Sequence, residues 1–234
     1  MRRRMLAMTI VPLAALLLAG GGPAQERRPI LFVHGLDGAD AQWIRMMRRF
    51  RDDGWTHLYP MAYDSDQSSL RTAAEVRARV EQVLAATGAR RVDVITHSLG
   101  ALPVRWYIRN AGGDSLIASV ATIAAPNHGT HTAYLCLRAS CGEMHPGSRF
   151  LRELNQGDET PGAVRYATVR SPCDPVIVPS ESTALEGAMN VRTRCLGHTE
   201  LLEDAAVYAR LRDFLLGAED PSAAPDPADS RGKA

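Results

Sequence analysis

Short apolar runs alternate along the chain with longer stretches in which apolar residues recur every three or four positions. The first run, Ile30 to Val33, suits a strand buried on both faces, and segment 40–51 has apolar residues at helical spacing. A second strand is expected at 56–59. A long amphipathic helix follows, with Ser69 as its expected N-cap and Gly88 as its end. These elements predict a β-α-β unit.

The same alternation continues through the second half of the chain. Strands are predicted at 92–96, 117–123, 164–169 and 191–195, and helices at 102–110 and 200–216. A long polar segment, 126–162, interrupts them with one short helix at 148–155, and we interpret it as a functional excursion. Strands alternating with helices predict an α/β fold with a mostly parallel, doubly wound sheet flanked by helices.

Both ends of the chain differ from this pattern. Three arginines followed by apolar residues 5–19 are typical of a secretory signal peptide, with cleavage expected after Ala24. A lipoprotein would need a cysteine where Gly21 stands, so no stable membrane anchor is expected. Residues 218–234 are rich in Ala, Asp, Pro and Ser and are expected to form a disordered tail. We therefore expect a secreted chain with a signal peptide at 1–24 and one catalytic domain at 25–217.

Composition narrows the range of partners. Hydrophobic residues make up 45% of the chain and charged residues 23%, and the formal net charge is +1. This balance suits a globular protein and gives no electrostatic reason to expect nucleic acid. The sequence does not determine the oligomeric state, for which a monomer is the default expectation.

Four cysteines lie in the second half of the chain. An even number in a chain directed to an oxidising compartment indicates two disulfides, for which three connectivities exist. Pairing neighbours closes the shortest loops, and this favours Cys136 with Cys141 and Cys173 with Cys195. The cysteines lack the spacing of a zinc site, and the histidines lack a helical i, i+4 pair, so no metal is expected.

Ser98 is the candidate nucleophile. It lies in Thr96-His97-Ser98-Leu99-Gly100, between a buried strand and a helix, where a sharp turn would expose its hydroxyl above the sheet edge. Thr96 stands where this motif usually has glycine. Serine is also a common helix N-cap, so Ser98 by itself is equally consistent with a structural role.

A serine nucleophile requires a base and a carboxylate that orients the base. His198 and Asp174 follow Ser98 in the order Ser, acid, His, and both are expected near the carboxyl ends of strands. Asp158 lies in the polar excursion and Asp204 inside the last predicted helix, so both suit the orienting role less well. A Cys173–Cys195 disulfide would connect the acid loop to the histidine loop.

Ester hydrolysis also requires N–H donors for the developing oxyanion. The backbone of Leu99, directly after the nucleophile, would supply one. Leu36 in the glycine-containing loop after the first strand is the expected second donor.

Several of these motifs resemble a known family. The stretches His34 to Gly38, Thr96 to Gly100 and Ala125 to Thr130 resemble the small secreted bacterial lipases and esterases of the α/β-hydrolase superfamily. Pro172 to Ile177 and Gly197-His198 resemble the actinobacterial class 2 triacylglycerol lipases. The likeness extends from residue 30 to residue 216.

The resemblance implies an α/β-hydrolase fold, an ester or lipid substrate and no diffusible cofactor. It implies a triad of Ser98, Asp174 and His198, with Leu36 and Leu99 at the oxyanion hole. Two alternatives stay open. One keeps the fold but acts on a thioester, an amide or a polymeric ester, and the other is a non-catalytic secreted binding protein on the same scaffold.

Overall fold

The structure is a computed structural model that describes residues 27–217. The expected signal peptide at 1–24 and the expected tail at 218–234 lie outside the described residues, so both stay predictions.

Six strands form one sheet, and every neighbouring pair is parallel. They are β1 (Ile30–Val33), β2 (Leu58–Met61), β3 (Val92–His97), β4 (Ile117–Ile123), β5 (Arg165–Arg170) and β6 (Met189–Arg192). Their order across the sheet is β2-β1-β3-β4-β5-β6, so the chain reverses direction across the sheet between β1 and β3. Ligands of open parallel sheets bind beyond the carboxyl ends of the strands at such a reversal.

Seven α-helices accompany the strands in the described part of the chain. They are α1 (Ile44–Asp52), α2 (Ser69–Thr87), α3 (Ala101–Asn110), α4 (Gly113–Leu116), α5 (Ala139–Glu143), α6 (Arg149–Leu154) and α7 (Ala205–Leu216). Within residues 27–217, none of these helices combines the length and the apolar character needed to cross a bilayer.

The helices cover both faces of the sheet. On one face, α1 and α7 pack against alternate residues of β1, β3 and β4, with Phe32, Phe50 and Leu211 among the fully buried side chains. On the other face, α2 and α3 contribute Val76, Val80 and other apolar residues. The inner strands β1, β3, β4 and β5 are therefore buried on both sides, as continuous apolar runs predict, whereas the edge strands β2 and β6 are partly exposed.

Several predicted boundaries are wrong. The second strand, expected at 56–59, is Leu58–Met61. Ser68, not Ser69, is the N-cap of α2, and its hydroxyl accepts from the Arg71 N–H. The last strand ends at Arg192, before Cys195. Residues 200–216 are not one helix, because Asp204 adopts an extended conformation and caps α7 through the Ala206 and Val207 N–H groups.

The excursion is more structured than the sequence indicated. It contains a short 3-10 helix (His131–Leu135) and α5 in addition to the expected α6, which Ser148 caps. Its apolar residues, including Met144 and Leu151, form a third cluster with Leu99 and Leu102 from the start of α3. The excursion therefore packs beside the residue that follows Ser98.

Candidate active site

Ser98 lies at the carboxyl end of β3, where the strand turns directly into helix. Its φ of 52° is in the left-handed region, which costs a non-glycine residue energy and is held only by surrounding structure. Ser98 is 6% exposed, and Leu99 behind it is buried. This is the strand–turn–helix context that the sequence predicted for a nucleophile, but the expected exposure of Ser98 is wrong, because the loop after β1 packs against it and the residue is buried.

Two glycines make this turn possible. A Cβ on Gly35 would lie 2.7 Å from the Cβ of Ser98, and one on Gly100 would lie 2.2 Å from the carbonyl oxygen of His34. Both distances are shorter than contacting carbon and oxygen atoms allow. The loop after β1 therefore approaches the serine turn so closely that only glycine fits on either side.

His198 and Asp174 lie together, next to the serine turn. The Nδ1–H of His198 donates to Oδ2 of Asp174 over 2.7 Å, and the side chains are 12% and 2% exposed. Oδ1 of Asp174 accepts from the N–H groups of Val176 and Ile177, at 2.8 and 3.1 Å. Burial raises the pKa of Asp174, but His198 and these N–H groups lower it further, and the net pKa is below the ordinary value.

Two links hold the loops that carry this pair. The first is the Cys173–Cys195 disulfide. The other two cysteines, Cys136 and Cys141, form a disulfide inside the excursion, and both pairings are those that the sequence favoured. The second link is a hydrogen-bonded contact. The hydroxyl of Ser171 accepts from the Leu196 N–H at 2.9 Å and lies 2.6 Å from the Leu196 carbonyl oxygen. Sequence reasoning missed Ser171, whose only signal is its position directly after a strand.

His97 connects the serine turn to His198. The Nε2–H of His97 donates to the carbonyl oxygen of His198 at 3.2 Å, and the two ring centroids are 4.5 Å apart. Burial and the neighbouring charge of His198 lower the pKa of His97 to about 3, so it stays neutral at physiological pH. These contacts place His198 beside the residue that precedes Ser98.

The loop after β1 is held in place from the segment after β2. The ring of His34 stacks on Tyr63 with centroids 4.2 Å apart, and the Tyr63 hydroxyl donates to the His34 carbonyl oxygen at 2.6 Å. The N–H of Asp37 donates to Ser65. Within residues 27–217, the N–H of Leu36 has no acceptor at hydrogen-bond distance. Sequence reasoning missed Tyr63 as a support of this loop.

Exposed apolar side chains border the site. We call them the apolar rim: Tyr134, Leu135, Leu137, Val176 and Val178. Leu135 and Leu137 are 90% and 103% exposed. The rim has two parts, one at 134–137 and one at 176–178. Thr130, on the segment that leads to the first part, joins them, because its Oγ1 donates to the Val176 carbonyl and accepts from the Val178 N–H. Val176 also binds Asp174, so the rim lies next to the carboxylate.

Residues 27–217 contain no cluster of three or more His, Cys, Asp or Glu side chains arranged to hold a metal ion. The site combines a hydroxyl on a sharp turn, an imidazole paired with a buried carboxylate, and a nearby loop with an unused N–H.

Comparison with known proteins agrees with this chemistry. The model of the family described as Lipase (class 2) matches residues 27–206. The chain is similar to a triacylglycerol lipase of Burkholderia plantarii, with 33% identity over 146 residues that cover 54% of this chain and 40% of the relative. A triacylglycerol lipase of Pseudarthrobacter phenanthrenivorans is 34% identical over 119 residues, which cover 47% of this chain and 36% of that protein. The aligned residues thus span about two fifths of these relatives' length.

Solved structures share the fold. A Bacillus licheniformis lipase in its mature form superposes with a TM-score of 0.74 at 17% identity, covering 83% of this chain and 94% of that chain. Aspergillus fumigatus lipase B gives a TM-score of 0.74 at 16% identity, over 82% of this chain and 53% of that chain. These likenesses confirm the predicted α/β-hydrolase fold.

Proposed function

Because this chain belongs to the class 2 lipase family, we propose that it hydrolyses carboxylic esters with Ser98 as nucleophile, His198 as base and Asp174 as orienting carboxylate. The observation that carries the proposal is the 2.7 Å hydrogen bond from His198 Nδ1 to Asp174. This bond occupies Nδ1 and leaves Nε2 as the basic nitrogen.

In the first step, the hydroxyl oxygen of Ser98 attacks the ester carbonyl while His198 Nε2 takes the hydroxyl proton. The imidazolium that forms is stabilised by Asp174, whose lowered pKa keeps it ionised. The N–H groups of Leu36 and Leu99 stabilise the oxyanion. The free N–H of Leu36 supports this role, since an oxyanion donor must not be occupied by another acceptor.

In the second half of the reaction, the imidazolium gives its proton to the leaving alcohol, and the acyl group stays on Ser98. His198 then removes a proton from water, which attacks the acyl-enzyme. The acid leaves as the imidazolium returns its proton to the oxygen of Ser98, which restores the hydroxyl. The disulfide between Cys173 and Cys195 supports this two-way proton transfer by holding the acid and base loops together.

The apolar rim favours lipid esters over small soluble ones. Leu135 and Leu137 are almost fully exposed, although burying one leucine side chain is worth about 1.5–3 kcal/mol. Contact with a lipid phase beside the active site would recover this energy. The rim thus supports lipase activity as the finer assignment.

Secretion is part of the same proposal. The two disulfides support an oxidising compartment, because such bonds rarely persist in the cytosol. An antibody against the chain should then find it in the culture medium of the producing cell, lacking the residues before the cleavage site.

Replacing Ser98 by Ala tests the nucleophile. The variant S98A should lose at least about 10⁴-fold in kcat for p-nitrophenyl butyrate, because the triad acts as a unit. The control S180A removes a surface hydroxyl and should keep wild-type rates. Retained turnover in a folded S98A protein would contradict the proposal. A panel with thioester, amide and polyester substrates separates the alternative acyl substrates.

A further inference from the structure

A cleft lies at the opposite edge of the sheet from Ser98. It has a volume of about 600 Å³ and is bordered by residues at the amino ends of β3, β4 and β5 and by the end of α7. The strands are parallel and rise about 3.3 Å per residue, so the cleft is roughly 15–20 Å from the catalytic edge. The proposed ester hydrolysis does not use it.

The charges around this cleft are unbalanced. Four arginines line it, Arg27, Arg28, Arg91 and Arg165, together with the single carboxylate Asp93. Asp93 is 2% exposed and is bound by Arg28, whose Nε lies 3.0 Å from both carboxylate oxygens. Within the described residues, no carboxylate forms an ion pair with any of the other three guanidinium groups.

The surroundings of the arginines increase the effect of their excess positive charge. Trp55, 3% exposed, forms part of the wall, and the guanidinium of Arg27 lies 4.0 Å from its ring centroid. Arg165 donates to the Phe214 carbonyl and to Ser119, which fixes its position without neutralising its charge. Burial lowers the pKa of Arg165; the charge of Asp93 opposes this effect and the charge of Arg28 adds to it. Charges beside a low-dielectric wall are screened less than charges in open water.

We propose that this cleft is a binding site for closely spaced carboxylate groups, separate from the catalytic edge. Guanidinium groups present paired N–H donors that match the two oxygens of a carboxylate. Arg91 and the N–H groups of Arg27 that do not bind the Asp53 carbonyl are the accessible donors, since Arg28 and Arg165 are already engaged by Asp93 and the end of α7. Binding an anion stabilises the folded chain by relieving repulsion among the arginines.

Such carboxylates have two sources. One is a free polycarboxylate. The other is the chain itself, because Gly217 borders the cleft and the sequence continues with Ala218, Glu219 and Asp220. Two or three residues span at most about 7–10 Å, so both acidic side chains are connected to the cleft by a short tether.

Isothermal titration calorimetry with citrate, at low ionic strength and pH 7.5, tests the proposal. The titration uses the secreted full-length chain and its double variant Glu219→Gln/Asp220→Asn. In the double-variant background, R91Q and R27Q should each weaken citrate binding at least tenfold. R71Q, which removes an exposed arginine on α2, should change it less than twofold.

Tighter citrate binding to the double variant than to the unaltered chain identifies the chain's own carboxylates as the competing ligand. Equal binding by the two proteins identifies free polycarboxylates as the ligand. The proposal is overturned if neither protein binds citrate at millimolar concentration. It is also overturned if R91Q and R27Q bind citrate as wild type does, or if inorganic phosphate binds as tightly.

Discussion

At Ser98, a strained backbone and a hydroxyl group occur in the same residue. The φ of 52° is tolerated because Gly35 and Gly100 leave space on both sides of the turn. Glycine is therefore required at positions 35 and 100, because a larger residue would collide with the neighbouring loop. The same close contact fixes the position of Ser98.

Gly35→Ala tests this constraint. The new Cβ would meet the Cβ of Ser98 at 2.7 Å, so the nucleophile or the loop must shift. We expect a loss of about 1–3 kcal/mol in the free energy of unfolding. We also expect at least a tenfold fall in kcat, measured with p-nitrophenyl butyrate.

Gly142→Ala is the matched control, since a Cβ there would have no atom within 4 Å and Gly142 lies in α5. It should leave kcat unchanged and stabilise the protein by up to about 1 kcal/mol. Equal kcat values for both variants would show that the serine turn does not depend on Gly35.

At the scale of elements, the disulfide between Cys173 and Cys195 joins the loop after β5 to the loop after β6. The bond closes a loop with a sequence separation of 22 residues. Chain entropy alone gives it about 3 kcal/mol of stabilisation. Because it lies next to Asp174, we propose that it also orients the acid and the base.

Replacing both cysteines by alanine should therefore lower kcat as well as the melting temperature. The double variant C136A/C141A removes the other disulfide and should lower the melting temperature with less effect on kcat for a short soluble ester. Thermal unfolding and steady-state kinetics measure both effects. If the two double variants lose kcat equally, the Cys173–Cys195 bond has no special role in orienting the pair.

The apolar rim is formed jointly by residues of two separate loops. Replacing Leu135 and Leu137 by serine should reduce hydrolysis of emulsified tributyrin at least fivefold. Hydrolysis of dissolved p-nitrophenyl acetate should stay within twofold, because Ser98, His198 and Asp174 are untouched. Leu70→Ser removes an exposed leucine on α2 and is the control. A parallel loss on both substrates would count against a role in lipid contact.

At the scale of the whole molecule, His128 connects the two ends of the excursion to the segment between β5 and β6. Its Nε2 donates to Glu159 at 2.6 Å and its Nδ1 to the Ser182 carbonyl at 3.2 Å. Both acceptors are satisfied together only by the protonated ring. The hydrogen bond to Glu159, against the effect of burial, raises the pKa of His128 above 6.5.

The sign of the pH effect follows from this raised pKa. The stabilisation is fully present below pH 6.5 and is lost as the pH rises through the pKa of folded His128. The melting temperature of H128Q should therefore lie furthest below that of wild type near pH 6, with a smaller gap at pH 9. H131Q, a histidine loss in the same excursion, is the control. A gap that widens with pH would contradict this role of His128.

The hydrophobic pattern predicted most of the sheet because the four inner strands, β1, β3, β4 and β5, are buried on both faces. The strand Ile117–Ile123 agrees to the residue. Errors arose where local signals compete. Ser68 and Ser69 are equally good caps by composition, and Asp204 suits a helix interior by position although its carboxylate binds two N–H groups at the start of α7.

The sequence predicted those residues of the candidate site that follow the ends of strands. Ser98, Asp174 and His198 follow β3, β5 and β6, so the topology brings them to one edge. Ser171 and Tyr63 could not be predicted, because their roles are contacts between loops distant in sequence. The paired arrangement of the rim depends on similar contacts through Thr130.

Covalent labelling with an organophosphate identifies the nucleophile of a serine hydrolase. The enzyme is treated with diethyl p-nitrophenyl phosphate and digested with trypsin, and peptide 92–105, in which Ser98 is the only serine, is sequenced by mass spectrometry. We expect one diethylphosphoryl group per chain on Ser98, in proportion to the loss of ester hydrolysis, and almost no labelling in H198A. Inactivation with the label on another residue, or full activity with Ser98 labelled, would contradict the assignment of Ser98 as nucleophile.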